Sequence, residues 1–418
     1  MSNFKQYKDL KDKLDIKYNG ICLNRVHAVE IYNFVNGSKQ NSFIGNIKLI
    51  LKFCFFSLDT SCFKLLCGSS ILSTYGTSKR NDHEELYRNV VKQLGSTVTT
   101  HYISTWKYKL QFKPILTCEI FRAVFKALSK SDITYIEKMR ISSYFVFYCK
   151  IDDSLHKLDF SNVEKYLSMF NVLRIENLIT QHMKLRGIPT YSLQEGIYFV
   201  HKNDIPIDSI QYENMETDHL LSWGQYSINE FCSYGINPSR FLLAGYPKDV
   251  ICENLDPNNN FYTCMILLAR VSYQESNLKL LNILKEYKNE FKFCIKLHPS
   301  CDFVFYKKIA DKYNMEIIPL ETTISQSLKR GLYDFCIAVN TTVYYESLMR
   351  GIPCLRYYDG SFDLMFGYEK DVFETSSDYE RTIKNIKGHD IIEYQQIVNS
   401  VLKHSIGVGI NNYSKILS

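Results

Sequence analysis

Four strings in the chain carry side chains able to do acid–base or anion-binding chemistry, each near what reads as a strand end. The first is GIPTYSLQEGIYF (187–199). Its run GIPTYSL is strand-like and is stopped by Gln194-Glu195-Gly196, where glycine permits a tight turn or close ligand approach. Glu195 has two readings: a carboxylate projecting into a cleft as a general base for a hydroxyl, or a turn glutamate facing solvent. The second is LLSWGQYSINEFCSYGINPSRFLLAGYPK (220–248), a strand near Trp223-Gly224, a helix, and a strand ending at Gly245-Tyr246-Pro247. Gly245 either brings backbone N–H groups toward a phosphate or makes a plain turn. The third is KLHPS (296–300). Pro299 fixes the backbone and can start the next element. His298 stands at the carboxyl edge of a strand, where an imidazole can donate to a phosphate oxygen, and Lys296 shares its strand face. The fourth is FCIAVNTTVYYESLMRGIPCL (335–355). The strand stops at Asn340, and Thr341 and Thr342 stand where a helix begins, an arrangement that binds anions or simply caps the helix. Glu346, one turn after Thr342, faces the same side and can accept ribose hydroxyls or sit solvated.

Residues this far apart meet only if a sheet collects their strand ends. Residues 261–358 alternate short apolar runs with helical patterns: FYTCMILLA, a helix near SNLKLLNILKEYKNEF, FCIKL, a helix near FYKKIADKYN, MEIIPL, a short helix near ISQSLKRG, FCIAVN, the helix TVYYESLMRG, then IPCLRYY. Regular alternation with short loops predicts right-handed crossovers and a doubly wound parallel sheet, an α/β fold whose ligands bind beyond the carboxyl ends of the strands. After 375, SDYERTIKNIK and EYQQIVNSVLKHS predict helices that pack back toward the cleft. The first half is less legible. YNGICLNRVHAVEIYNFV reads as strand or helix, FIGNIKLILKFCFFSL as an apolar run, and HYISTWKYKLQF and ISSYFVFYCKI as strands. The loop DPNNN (256–260) is the expected linker, giving an N-terminal domain over 1–255, a C-terminal domain over 256–375 and closing helices over 376–418.

Length agrees: 418 residues at about 100–200 per domain suggest two. A 45% hydrophobic and 22% charged composition lets each half bury a core and argues against disorder. The net charge of +6 comes without a basic block, which excludes a nucleic-acid patch. Thirteen cysteines without a CxxC pair read as reduced core thiols rather than a disulfide framework or zinc site. A polar N-terminus, and no charge-free apolar run of about 18 residues, lead us to expect a cytoplasmic protein. In NIKLILKFCFF (46–56), Lys48 and Lys52 share a helical face. That suits a helix lying on the inner face of a membrane, or a core helix whose lysines snorkel.

The order LQEG, WG, GYPK, KLHP, NTTVYYESLMRGIP resembles the GT-B glycosyltransferases of bacterial surface-polysaccharide and capsule synthesis. Glu195-Gly196, His298-Pro299 and Thr341-Thr342 resemble the motif set of bacterial sialyltransferases and polysialyltransferases, with Gln194 replacing the first acid of that family's pair. The resemblance covers about 185–358. It implies two Rossmann-like domains facing across a cleft, the donor domain being 256–375. Glu195 would be the general base, His298 would hold the donor phosphate and leaving group, and the threonines would bind phosphate. A CMP-linked sugar is one donor it implies. Capsule Kdo transferases and enzymes transferring CDP-linked alcohols share the HP pair and the hydroxyl-rich helix start, and UDP-sugar 2-epimerases share the fold and the late glutamate.

The leading expectation is therefore an inverting transferase that moves a sugar from a nucleotide sugar to a carbohydrate or lipid-linked glycan acceptor. The nucleotide sugar is a substrate, so no cofactor is expected, and without an obvious DxD pair no essential metal. The alternatives are a sugar-nucleotide epimerase, a CDP-alcohol phosphotransferase of related fold, or a non-catalytic subunit that keeps the fold. If Glu195 is not the base, Asp218 or His219 are next.

Overall fold

The computed structural model describes residues 3–35, 42–76, 80–197, 209–248, 253–254, 261–329, 331–407, 410 and 412–418. Two six-stranded sheets organise them, and every strand pair within each is parallel. The first holds β1 (Ile71–Tyr75), β2 (Val98–Tyr102), β3 (Lys165–Ser168), β4 (Thr190–Leu193), β5 (His219–Ser222) and β6 (Phe241–Leu243) in the order β6-β5-β4-β3-β1-β2. The second holds β7 (Thr263–Leu267), β8 (Lys292–Lys296), β9 (Glu316–Ile317), β10 (Phe335–Ala338), β11 (Cys354–Tyr357) and β12 (Val372–Phe373) in the order β9-β8-β7-β10-β11-β12. The central strands are buried on both faces, which is why they read as continuous apolar runs. Strand order reverses between β1 and β3 in one sheet and between β7 and β10 in the other. Each reversal opens a crevice beyond the carboxyl ends.

Five strands of the second sheet follow the sequence reading, the sixth, β12, adds to it, and the helices expected after 375 run Ser376–Gly388 and Ile391–Ser405. The linker DPNNN lies outside the described residues. The last helix, Asn412–Leu417, docks on the first half of the chain: Tyr413 donates to the Gly245 carbonyl at 2.7 Å, and Lys165 donates to the Leu417 carbonyl at 2.7 Å. Where this return passes Trp223, backbones touch. A Cβ on Gly407 would lie 2.3 Å from the Trp223 carbonyl oxygen, so the φ of +61° and the missing side chain are both needed.

The first half corrects one reading and resolves two others. ISSYFVFYCKI is no strand but the middle of a helix, Tyr135–Leu155. Nearly every residue from Ile141 to Ile151 is buried, because neighbouring helices surround it, and a helix buried on every side shows no 3.6-residue period. The available signal was its cap: Glu137 accepts from the Thr134 N–H at 3.0 Å. The YNGICLNRVHAVEIYNFV segment is a two-stranded hairpin (Lys17–Tyr18 with Ile21–Cys22) followed by helices Leu23–Val26 and Ala28–Val35. In HYISTWKYKLQF the sheet strand ends at Tyr102. Tyr108–Leu110 then pairs antiparallel with Phe56–Leu58, just after the helix Phe43–Phe55.

One buried cation ties these parts together. The Lys150 ammonium donates to the carbonyls of Phe53, Cys54, Phe56 and Gln111 at 2.7–3.1 Å. Two of these are C-terminal carbonyls of the helix Phe43–Phe55, which lack partners of their own within the helix. Burial pushes the lysine down to about 8, so it stays protonated at neutral pH. Lys150→Met should destabilise the fold by on the order of 3–5 kcal/mol, because it strands these carbonyls. Urea titration at pH 7 measures it; a loss below about 1 kcal/mol would show that the contacts contribute little.

Candidate functional site

The second sheet presents its chemistry at the ends of β7, β8 and β10. After β8, the His298 carbonyl accepts from the Cys301 N–H at 2.9 Å, closing a turn with Pro299 at its second position. Pro299 itself is exposed. The Ser300 N–H donates to His298 Nδ1 at 3.1 Å, and the Ser300 hydroxyl, which accepts from the Val271 N–H, lies 2.8 Å from the same nitrogen. With Nδ1 an acceptor, the ring proton sits on Nε2. Burial, with the charges of Arg80 and Arg270, holds His298 below its ordinary 6.5, so the imidazole is neutral at pH 7. Arg270 follows β7 and stacks over Tyr273 at 5.7 Å.

After β10, Asn340 adopts a left-handed φ of +41°. Its side chain accepts from the Met365 N–H at 3.2 Å and donates toward the Asp363 carbonyl at 3.3 Å, so it fixes the 363–365 loop. Arg356 holds the next stretch of that loop through the Met365 and Tyr368 carbonyls and a 2.7 Å bond to buried Asp371. Thr341 and Thr342 are half-buried at the start of the helix Val343–Met349; the Thr341 hydroxyl accepts from the Val343 N–H at 3.5 Å, and the N-cap Thr342 makes no side-chain cap bond. Glu346 accepts from the Tyr246 hydroxyl at 2.9 Å, a bond that joins the two halves of the chain.

Two proposed donor contacts are placed otherwise. The Lys296 ammonium turns to the carbonyls of Pro319 (3.1 Å) and Thr322 (2.5 Å), away from His298. Gly245, at φ +88°, gives its N–H to the Ser222 carbonyl at 3.2 Å, which removes it as a phosphate donor.

The first sheet answers from the other side. Glu195 follows β4 with its side chain 16% exposed, and Glu195 Oε2 lies 3.6 Å from Nδ1 of buried His83. Burial, then Arg80, pushes His83 down to about 4. Arg80 pairs with Asp82 through two bonds, at 2.5 and 3.2 Å. Arg80 thus acts electrostatically on both Glu195 and His298, one from each sheet. Gln194 explains the departure from an acidic pair. Its amide donates to the Gly196 carbonyl and the Ser227 hydroxyl, each at 2.7 Å, and accepts from the Trp223 N–H at 2.8 Å. A carboxylate there could not donate. Asp218 and His219 are corrected: Asp218 accepts from the N–H and hydroxyl of Thr190, at the amino end of β4, opposite to Glu195.

Reading from sequence missed Arg80, Asp82, His83 and Arg270, and also Glu176. Glu176 sits at the β1/β3 reversal beside a cavity of about 90 Å³ that Gly76 and aromatic rings line. Its Oε1 accepts from the Met169 N–H at 3.2 Å, and burial pushes its carboxyl well above the ordinary range. A Cβ on Gly76 would lie 2.3 Å from Glu176 Oε2, so any larger residue there would have to displace the Glu176 carboxyl. The available signal was the string RNDHEE directly after the first strand of a parallel sheet.

Among the described residues, Asp152, His156 and His182 have metal-ligand spacing. They lie on helices Tyr135–Leu155 and Arg174–Leu185 and the C-cap between, not at the strand ends. His182 Nδ1 bonds Asp152 at 2.8 Å while Arg186 donates to Nε2 at 2.9 Å, a complete hydrogen-bond set.

His83 makes acid stability a test. Its folded pKa lies below that of the unfolded chain, so on acidification the unfolded state binds the proton first. Stability is full above pH 6.5 and is lost as pH falls toward 4. Wild type should lose up to about 3 kcal/mol more than His83→Gln between pH 7 and pH 4. Parallel urea titrations of the two proteins at both pH values would refute this by showing equal losses.

No family model matches the sequence, and a search of curated proteins finds no match. Among solved structures the chain is similar to Anabaena Alr3699/HepE in complex with UDP-glucose, with TM-score 0.51 and 12% identity over 83% of this chain and 98% of that one. It is also similar to UDP-GlcNAc 2-epimerase from Neisseria meningitidis (TM-score 0.46, 15% identity, 83% and 98% covered) and to the lipopolysaccharide outer core galactosyltransferase WaaB (TM-score 0.48, 10% identity, 83% and 98% covered). At such identities the likeness concerns the fold. With its two parallel sheets, the chain has a two-domain, GT-B-like α/β fold.

Proposed function

We propose that the chain is a glycosyltransferase that moves a sugar from a nucleotide sugar to a carbohydrate or lipid-linked glycan acceptor. The observation that carries this reading is that Glu195 and His298, each at a strand end of its own sheet, both lie in the field of Arg80. Acceptor and donor would then bind to opposite sheets. Glu195 takes the acceptor proton as the hydroxyl attacks the anomeric carbon. The nucleotide leaves from the opposite face, inverting the centre. Its phosphate charge is met by His298 Nε2–H, the Thr341 and Thr342 hydroxyls and Arg270, which supply stabilisation without a metal. Glu346, already bonded to Tyr246, suits ribose hydroxyls. The UDP-glucose bound to HepE supports a nucleotide sugar of this class.

The test is a thermal-shift screen of the purified chain against CMP-, CDP-, UDP- and GDP-sugars, followed by incubation of the hits with glycan acceptors. A true donor at 100 times its Kd adds about 2.7 kcal/mol to stability. A new glycosidic bond supports the reading. Isomerised donor without acceptor would make the chain an epimerase, and no shift with any nucleotide sugar would overturn the reading.

A further inference from the structure

The helix Phe43–Phe55 answers neither of its two sequence readings alone. Its inner side packs Asn46, Ile50, Phe53 and Cys54 into the first half of the chain. Its outer side is also apolar: Phe43, Ile47, Leu51 and Phe55, spaced by four, are exposed, and so is Ile44. The neighbouring elements extend this side. Phe112 stacks on Phe55 at 4.7 Å, and Leu110 is the cross-strand partner of exposed Phe56. Leu110 and Ile115 are 73% and 75% exposed, values unusual for single apolar side chains on a folded surface. Ten of the twenty-four exposed large hydrophobics among the described residues fall within 43–56 and 108–115. Such a cluster marks an interaction surface rather than ordinary scatter.

Charge identifies the occupant. Segments 42–56 and 107–118 contain five lysines and no acid. Lys109 and Lys113 pair with Asp59 and Asp153, while Lys48, Lys52 and Lys107 are exposed. The Lys52 ammonium lies 3.9 Å over the Tyr108 ring, at the border of the apolar side. An apolar face rimmed by lysines fits a bilayer with anionic headgroups, where acyl chains take the rings and phosphates take the ammonium groups. A second copy of the chain would instead bring lysines against lysines, which repel. No described helix is long and apolar enough to cross a membrane, so the contact is one of surface docking. The Lys150 clamp holds this face rigid from behind, fixing the helix end and the strand together.

We infer that this face docks the protein on an anionic lipid bilayer. Phe53 and Tyr108, from the helix and strand that form it, also line the 90 Å³ cavity that reaches Gly76 and Glu176, so docking brings the lipid surface to the β1/β3 crevice.

The test is co-sedimentation of the full chain with vesicles of phosphatidylcholine alone or of equal parts phosphatidylcholine and phosphatidylglycerol. No nucleotide sugar is present, so the outcome is independent of the proposed transfer reaction. Wild type should bind the anionic vesicles at least about tenfold more tightly than the neutral ones. Leu51→Glu with Leu110→Glu should abolish binding, and Lys48→Gln, Lys52→Gln and Lys107→Gln together should weaken anionic binding about tenfold or more. All five side chains are exposed on the surface, and unchanged thermal melts would confirm folding. Wild type that stays in the supernatant with both vesicles would overturn the inference. So would a lipid-free dimer that Leu51→Glu with Leu110→Glu converts to monomer while vesicle binding persists unchanged.

Discussion

Glu195→Gln should lower turnover on the true acceptor by about 10²–10⁴-fold while leaving nucleotide-sugar affinity nearly intact. Glutamine keeps the volume and the hydrogen-bonding reach of the side chain but cannot take a proton from an attacking hydroxyl. The backbone that presents it should not move, because Gln194 and not Glu195 anchors the turn to Gly196, Ser227 and Trp223. The change also leaves the neighbouring imidazole as it is: His83, 3.6 Å away, is neutral at pH 7 before and after. Single-turnover kinetics, which isolate the chemical step, decide the matter. If Glu195→Gln matches wild type there, the proton goes elsewhere. His83 is then the next candidate, since Asp218 and His219 stand at the opposite end of the sheet.

The second sheet was legible up to β11 because its central strands are short, buried on both faces and separated by helices with clear ends; the two-residue edge strand β12 is too short to show such a run. His298, Thr341, Thr342 and Glu346 could be placed on it by counting residues from those ends. What counting could not supply is where a long side chain goes. Lys296 shares a strand face with His298, yet its four-carbon stem carries the ammonium to the Pro319 and Thr322 carbonyls. Gly245 has the expected positive φ, yet its N–H closes onto Ser222. In the first half the obstacle was burial itself. The helix Tyr135–Leu155 is packed on nearly all sides from Ile141 onward, so that stretch of sequence carries no face. The run Ile71–Tyr75 received no strand reading of its own, and with it went unread the β1 end that carries Arg80 and His83. Those residues are the counterpart of Glu195 and lie more than a hundred positions away from it in the chain.

His298→Ala should lower turnover by about 10²–10³-fold and weaken nucleotide-sugar binding as well, because the proposed contact is to a phosphate present in both ground and transition states, and stronger in the latter. The structure gives the imidazole one available role. The Val271 N–H, the Ser300 hydroxyl and His298 Nδ1 form a chain in which Nδ1 only accepts, which leaves Nε2–H as the donor. Burial and the two nearby guanidinium groups keep the ring uncharged at neutral pH, so it acts as a hydrogen-bond donor and not as a cation. Three results follow. His298→Gln, whose amide can still donate, should recover part of the loss. Ser300→Ala, which removes the hydroxyl contact to Nδ1 but keeps the backbone N–H bond to it and leaves the ring in place, should reduce turnover less than His298→Ala does. Because the ring is held below its ordinary 6.5, the ratio of wild-type to His298→Gln turnover should stay level from about pH 7 to about pH 8. A ratio that climbs as pH falls through 6.5 would mean that the charged imidazolium does the work, and unchanged affinity and turnover in His298→Ala would remove His298 from the donor site.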